Sequence, residues 1–298
     1  MAEPDQREDF PIKRSADFIL LFFAYNRGME RLSGSALRRE ISRRNLERAR
    51  SFEHEASYGA VPSVVYREEG NGHGNFLPAS YRAICTNADW ERRLRKSYTG
   101  GRWFVRSKER VRCELDCANS SDALLMNIFC YPRVMQRTAL CSLLDVDAGV
   151  VPDFGFRARV PLTNARFDRT ECNMRLGETL FEAKLTESDF QTAQMRLLLR
   201  YRDLTEVFEI GDLPVIENTV HDYQLIRGVL AAYASGYAFV LLYDRRRADL
   251  VERWLRVLRA VKSYSFRSRM KLIAWQEIAT TLPPRLRSFL DEKYGIAT

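Results

Sequence analysis

One short stretch limits this chain more than any other. Residues 171–185 read ECNMRLGETLFEAKL, two runs of strand-forming character separated by Gly177-Glu178. A two-residue hairpin loop with glycine first suits a type II′ turn, whose first central residue needs a positive φ. The register follows from the turn: Leu176 faces Thr179, Met174 faces Phe181, Asn173 faces Glu182, and Glu171 faces Lys184. Side chains alternate along a strand. Glu171, Asn173, Glu182 and Lys184 therefore share one face, and Cys172, Met174, Phe181 and Ala183 share the other. The apolar face can pack on a core, while its opposite gathers two carboxylates, an amide and an ammonium group.

The rest of the chain must supply that core. Phe18, Leu21, Phe22 and Tyr25 recur at helical spacing, and a basic helix from Ser35 extends the helical reading over 13–50. GNGHGN at 70–75 reads as a connector or a mobile lid. Helix is expected over 77–94 and again over 120–129, where Ser120 or Ser121 serves as N-cap. Beyond residue 150 the texture changes. A strand is expected over 154–160, then the hairpin, helices over 189–201 and 221–235, and the buried strand AFVLLY at 238–243. Helix follows over 248–261, a strand over 271–274, and a short helix from near Pro284. This order predicts an α/β (α+β) fold: a mixed sheet flanked by helices over 76–298, preceded by a basic, helical region over 1–75.

Charge is unevenly placed. Residues 27–50 carry eight Arg against three Glu, and residues 90–112 carry nine basic residues against two acidic ones. Residues 245–271 carry ten against two, in a chain whose formal charge is only +8. Clustered positive charge suits a polyanion, because each neutralised phosphate releases counterions. A solvated, arginine-rich helix surface is the competing reading in a chain with 40 Arg and 7 Lys. The apolar run from Phe18 to Ala24 is too short to span a bilayer and no cleavage site follows it. No membrane association is expected, and the chain reads as cytoplasmic. The six cysteines and three scattered histidines (His54, His73, His221) compose no zinc site, so buried free thiols are expected.

The polar face of the hairpin suits phosphodiester hydrolysis. Mg²⁺ takes hard oxygen ligands from one or two carboxylates and a backbone carbonyl. Bound there, it stabilises charge on the phosphate and acidifies a water. A lysine two residues beyond a metal-binding glutamate lies on the same face and can orient or help deprotonate that water. A surface hairpin with a Glu–Lys pair is the simpler alternative.

RFDRTECNMRLGETLFEAKLTESDF, residues 166–190, resembles the PD-(D/E)xK nuclease superfamily. Within it, the stretch is similar to a restriction-endonuclease-like group with Thr-x-x-Asp upstream and Glu-x-Lys-x-Thr-Glu downstream. Glu182, Lys184, Thr186 and Glu187 match the downstream half residue for residue. The resemblance continues through SSDALLMNIF, DYQLIRGVLAAY and KLIAWQEIA, and so covers roughly residues 75–296. It implies a restriction-endonuclease-like sheet and an endonuclease dependent on Mg²⁺ (or Mn²⁺), acting on nucleic acid, DNA first, with a homodimer left open. It implies Glu182 as metal ligand and Lys184 as the residue that positions the water. An acid from an early helix would complete the site, with Asp122 and Glu114 as candidates, and Glu187 and Gln224 would support it.

This sequence departs from the pattern at one point: Asn173 stands at the metal-binding Asp position. An amide has a carbonyl oxygen but no charge, so metal affinity and catalysis should fall. Asn173 is then a natural change that weakens or abolishes cleavage, a deliberate inactivating substitution, or a loss made good by Glu171 or Asp168. The first two are preferred, because Glu171 is displaced by two residues and faces Lys184. A catalytically silent binding or assembly module is the alternative reading. Arg245, Arg246 and Arg247 follow a strand end, where an α/β sheet presents ligand-facing loops, and are candidate phosphate contacts. Trp90 and Trp103 bracket a basic run and read first as core, with base stacking as the sharper idea.

Overall fold

Gly177 turns the chain with φ +54 in the computed structural model, which describes residues 31–56, 63–97, 113–169 and 171–297. The strands it joins are Met174–Leu176 and Thr179–Ala183, and they pair as expected: Leu176 with Thr179, Arg175 with Leu180, Met174 with Phe181. They belong to a five-stranded sheet of β1 (Asp153–Phe154), β2 (Met174–Leu176), β3 (Thr179–Ala183), β4 (Ala238–Tyr243) and β5 (Met270–Ala274). In space the order is β5-β4-β3-β2-β1. The hairpin and its neighbour β1 pair antiparallel, whereas β3, β4 and β5 run parallel, so the sheet is mixed.

Burial explains the sequence of each strand. β4 lies between two parallel partners, and five of its six residues are buried, which its unbroken apolar run requires. All five residues of β3 are buried, Glu182 among them. Parallel strands need crossovers, and helices supply them. Between β3 and β4 the chain includes the helix Tyr223–Ser235; between β4 and β5 it includes Ala248–Ala260. Gly228 of the first crossover helix lies hard against β4, since a Cβ there would sit 2.4 Å from the Phe239 ring. On the helix Ser121–Phe129 all nine residues are buried, and Ser120 caps it by accepting from Ala123 N at 3.1 Å. Its Leu124, Leu125 and Ile128 meet Phe181, Ala183, Val240 and Leu242 of the sheet in one apolar cluster. Leu37 and Ile41 of the N-terminal helix Gly34–Ala49 join the same cluster, as do Leu286 and Leu290 of the last helix, Pro284–Tyr294.

Several local expectations give way to long-range contacts. The helix expected over 77–94 is two helices, Pro78–Thr86 and Ala88–Leu94, broken at Asn87, whose side chain caps the second. The 154–160 strand is only Asp153–Phe154, with Val160–Pro161 paired elsewhere. Over 189–201 the expected helix shrinks to the single turn Met195–Leu198, because the Phe190 and Gln191 carbonyls accept from Gln224 N and Tyr223 N. GNGHGN is no open lid: its first glycines turn a small hairpin, and His73 and Asn75 are buried. Helices Thr138–Leu144 and Trp275–Thr281 and a small sheet of 193–194, 215–216 and 219–220 went unanticipated. All six cysteines are free thiols, four of them buried. Trp90 packs edge-on against Phe154. The helix expected over 13–30, Trp103 and Thr170 lie outside the described residues. Among the described residues no helix is long and apolar enough to cross a membrane.

Candidate active site

β3 and the residue that follows it carry Glu182 and Lys184 to the wall of a cleft of about 670 Å³. Both side chains are nearly sealed, at 4% and 5% exposure. Ions so far from water need partners, and these have them. Glu182 Oε1 lies 3.1 Å from Lys184 Nζ. Gln224, near the start of the first crossover helix, closes a triangle: its Nε2 donates to Glu182 Oε1 at 2.6 Å, and its Oε1 accepts from Lys184 Nζ at 2.7 Å. Only this amide orientation meets both an acceptor and a donor. Glu182 Oε2 takes no hydrogen bond from the described residues, and Glu182 borders the cleft. Burial raises the Glu182 pKa, with Lys184 opposing and Asp122 and Glu187 adding to it. Burial alone would lower the Lys184 pKa, but Glu182, with Glu187 behind it, holds it above the ordinary lysine value. The pair thus favours the ammonium form of Lys184.

Asn173 lies one residue beyond the hairpin ladder, which closes at Met174–Phe181, and its amide is held at both ends. Its Oδ1 accepts from Ala183 N at 2.8 Å, and its Nδ2 donates to Asp122 Oδ1 at 2.7 Å. A flipped amide would set oxygen against carboxylate and NH₂ against N–H, so these partners fix it. One lone pair of the Asn173 oxygen is thus taken by the Ala183 N–H, in a residue that borders the cleft. Asp122 occupies the first turn of its helix, where the dipole favours a carboxylate. Its Oδ2 accepts from Arg93 at 3.0 Å and Lys96 at 3.3 Å.

Those two cations also decide Glu171. The ladder closes at Met174–Phe181, and beyond it the chain bends to pair Glu171 with Arg157, so Glu171 does not face Lys184. Its carboxylate instead takes Lys96 at 2.9 Å and Arg93 at 3.1 Å. Burial would raise the Glu171 pKa, but Lys96 and Arg93 outweigh it and hold the carboxyl below the ordinary range. Lys96 further reaches Glu114 at 3.0 Å. Arg93 and Lys96, three apart in sequence, form a cationic strap over Asp122 and Glu171; their spacing was the available signal for it. Asp168 sits elsewhere, with Tyr201 at 2.5 Å and Arg227 at 3.3 Å, so it offers no substitute charge.

The turn after Lys184 is equally tied. Glu187 accepts from Ser121 at 2.6 Å and from Leu185 N at 2.7 Å, and Thr186 accepts from Asn119 at 3.1 Å. Arg247 is fully buried and donates to the carbonyls of Leu185 at 3.1 Å and Glu187 at 2.9 Å, and to Asp249. A guanidinium without solvent cannot meet a phosphate, so its expected role becomes a structural one. Arg246 is similarly committed, to Glu40, Asp244 and the Tyr294 carbonyl. Arg245 stays half-buried with its backbone N–H on Gln276, outside the cleft wall.

Glu182, Lys184, Asn173, Gln224, Glu187 and Glu171 thus border one cleft, with Asp122 directly behind Asn173. The cleft also receives Ser35 and Arg38 from the N-terminal helix, which charge counting had registered only as part of a basic run. The model of a family described as Restriction Endonuclease associating with ARP matches residues 43–295. No match was found among curated proteins or solved structures. The mixed sheet with flanking helices agrees with the restriction-endonuclease-like fold. Ser35 and Arg38 precede the matched residues.

Proposed function

The chain belongs to the family of restriction endonucleases associating with ARP, and on that premise we propose a metal-dependent nuclease whose cleavage is held low by Asn173. Its substrate is nucleic acid, DNA first, bound in the cleft above the 174–183 hairpin. The observation that carries this reading is that Asn173 ties Asp122, from a helix far earlier in the chain, to the Ala183 N–H between the paired Glu182 and Lys184.

The residues present fit a divalent cation, Mg²⁺ or Mn²⁺, with a deficit. Glu182 would hold it through the oxygen it leaves unbonded. Asp122 could join once Arg93 and Lys96 release it. Asn173 would add only the second lone pair of an uncharged oxygen that already takes the Ala183 N–H. Among the described residues no group of three His, Cys, Asp or Glu is arranged for a metal, so weak affinity is expected. When bound, the cation supplies charge against the developing phosphorane and lowers the pKa of a coordinated water.

The chain's own groups do the rest. Lys184 keeps its proton and donates to the attacking water or to a phosphate oxygen, positioning the nucleophile. Gln224 holds Glu182 and Lys184 in one geometry. Burial of the pair keeps their field strong at the reacting phosphate.

Supercoiled plasmid and single-stranded DNA, incubated with Mg²⁺ or Mn²⁺, test the proposal. Asn173→Asp should cleave faster than the unaltered chain, and adding Glu182→Ala should abolish the gain. Cleavage that survives Glu182→Ala overturns it. The second reading, a silent nucleic-acid-binding or assembly module, is favoured by the uncharged amide of Asn173, bonded to Asp122 and the Ala183 N–H. Salt-sensitive binding without cleavage, even in Asn173→Asp, selects it.

A further inference from the structure

Three cationic side chains line the cleft among the described residues: Arg38, Lys96 and Lys184. Two are committed. Lys184 is held by Glu182 and Gln224, and Lys96 by Glu114, Asp122 and Glu171. Lys96 has a carboxylate for each of its three N–H groups, and Lys184 has one N–H left beside its two partners. The wall around them is acidic, with Glu114, Glu171, Glu182, Glu187 and Asp189. A polyanion entering here needs a cation that is not already neutralised.

Arg38 meets that need. Its Nε is shut off from solvent with no hydrogen-bond partner. No ion pair or hydrogen bond joins the guanidinium to any described residue. The helix that carries Arg38 is firmly placed. Its Leu37 and Ile41 are buried in the main core, and Leu32 N donates to Arg246 O at 2.9 Å. At its start, a Cβ on Gly34 would lie 3.1 Å from Thr186 O. The first turn of this helix therefore abuts the turn that follows Lys184, which aims Arg38 at the same cleft. A guanidinium offers adjacent N–H groups matched to two oxygens of one phosphate, which an ammonium cannot reproduce.

Resting on the reading of the cleft as a nucleic-acid site, we propose that Arg38 is its substrate-positioning residue. It grips a backbone phosphate of the bound strand through its two terminal nitrogens. It touches no reacting atom. Arg38 thus completes the binding site from outside the family match, which begins at residue 43.

The test measures binding of the full chain to a fluorescent duplex by anisotropy, in EDTA to prevent cleavage, across a range of NaCl. Arg38→Ala should weaken binding roughly tenfold and make the log affinity against log salt slope shallower by about 0.9. Arg38→Lys should recover the slope but not the full affinity. Arg39→Ala, its exposed neighbour, should change neither. Thermal unfolding of each variant confirms that a folded chain is compared. Arg38→Ala with unaltered affinity and slope overturns this proposal and leaves the nuclease reading standing. Binding by the unaltered chain that is absent or indifferent to salt overturns that reading and this proposal with it.

Discussion

Asn173 donates to Asp122 at 2.7 Å while its own oxygen takes the backbone N–H of Ala183. The amide thereby does two things an aspartate could not. It presents hydrogen rather than negative charge to Asp122, and it couples the helix of Asp122 to β3. With aspartate in its place, two carboxylates would meet at hydrogen-bond distance, an arrangement that a cation or a shared proton would have to relieve.

Asn173→Asp should therefore exchange a stable, metal-indifferent site for a metal-dependent one. In EDTA its folding stability should fall by about 1–3 kcal/mol. Added Mg²⁺ should raise its thermal midpoint and leave that of the unaltered chain nearly unmoved. A midpoint for the variant that ignores Mg²⁺ would count against Glu182 and position 173 as a shared metal site.

Removing Glu182 leaves Lys184 buried with the Gln224 amide as its hydrogen-bond partner and no paired carboxylate. Glu182→Ala should lose about 3–5 kcal/mol in urea denaturation, the usual cost of orphaning one partner of a buried pair. Glu182→Gln keeps a carbonyl for Lys184 and should lose less. Equal and small losses would mean that Lys184 sheds its proton.

Glu171 sets an acid limit. Its folded pKa lies below the ordinary glutamate value because Lys96 and Arg93 outweigh burial. A depressed carboxyl stabilises the fold above the unfolded pKa, about 4.3, and the contribution disappears as pH falls through the folded value. Glu171→Gln should thus be less stable than the unaltered chain at pH 7, by about 1–2 kcal/mol. The gap should close on acidification below pH ~4. A gap independent of pH would point to packing rather than charge.

Arg247→Ala should unfold more readily by about 3 kcal/mol, because the carbonyls of Leu185 and Glu187 lose their donor. Arg247→Lys should not rescue it, since one ammonium cannot reach both carbonyls and Asp249. The salt dependence of nucleic-acid binding should stay unaltered in whatever fraction remains folded. A shallower slope would return Arg247 to the phosphate contacts.

Elements with local causes were legible in the sequence. Gly177 announces the hairpin and its register, AFVLLY reads as a strand buried on both sides, and Ser120 caps its helix as its hydroxyl allows. Where the sequence misled, a distant segment had intervened. Residues 189–201 have helical spacing, yet their carbonyls are taken by the next helix. Glu171 has the right parity to face Lys184, but the strand bends away toward Arg157.

By itself, then, the sequence determined which side chains share the polar face of one hairpin, because turn chemistry and the two-residue period of a strand act over a few residues. Only the tertiary structure decided what those side chains are. Gln224 completes the Glu182–Lys184 pair from 42 positions away, Arg93 and Lys96 neutralise Asp122, and Arg247 is withdrawn into the interior. The state of a buried ion depends on the charges and donors packed around it, and those arrive from segments whose proximity no local pattern records.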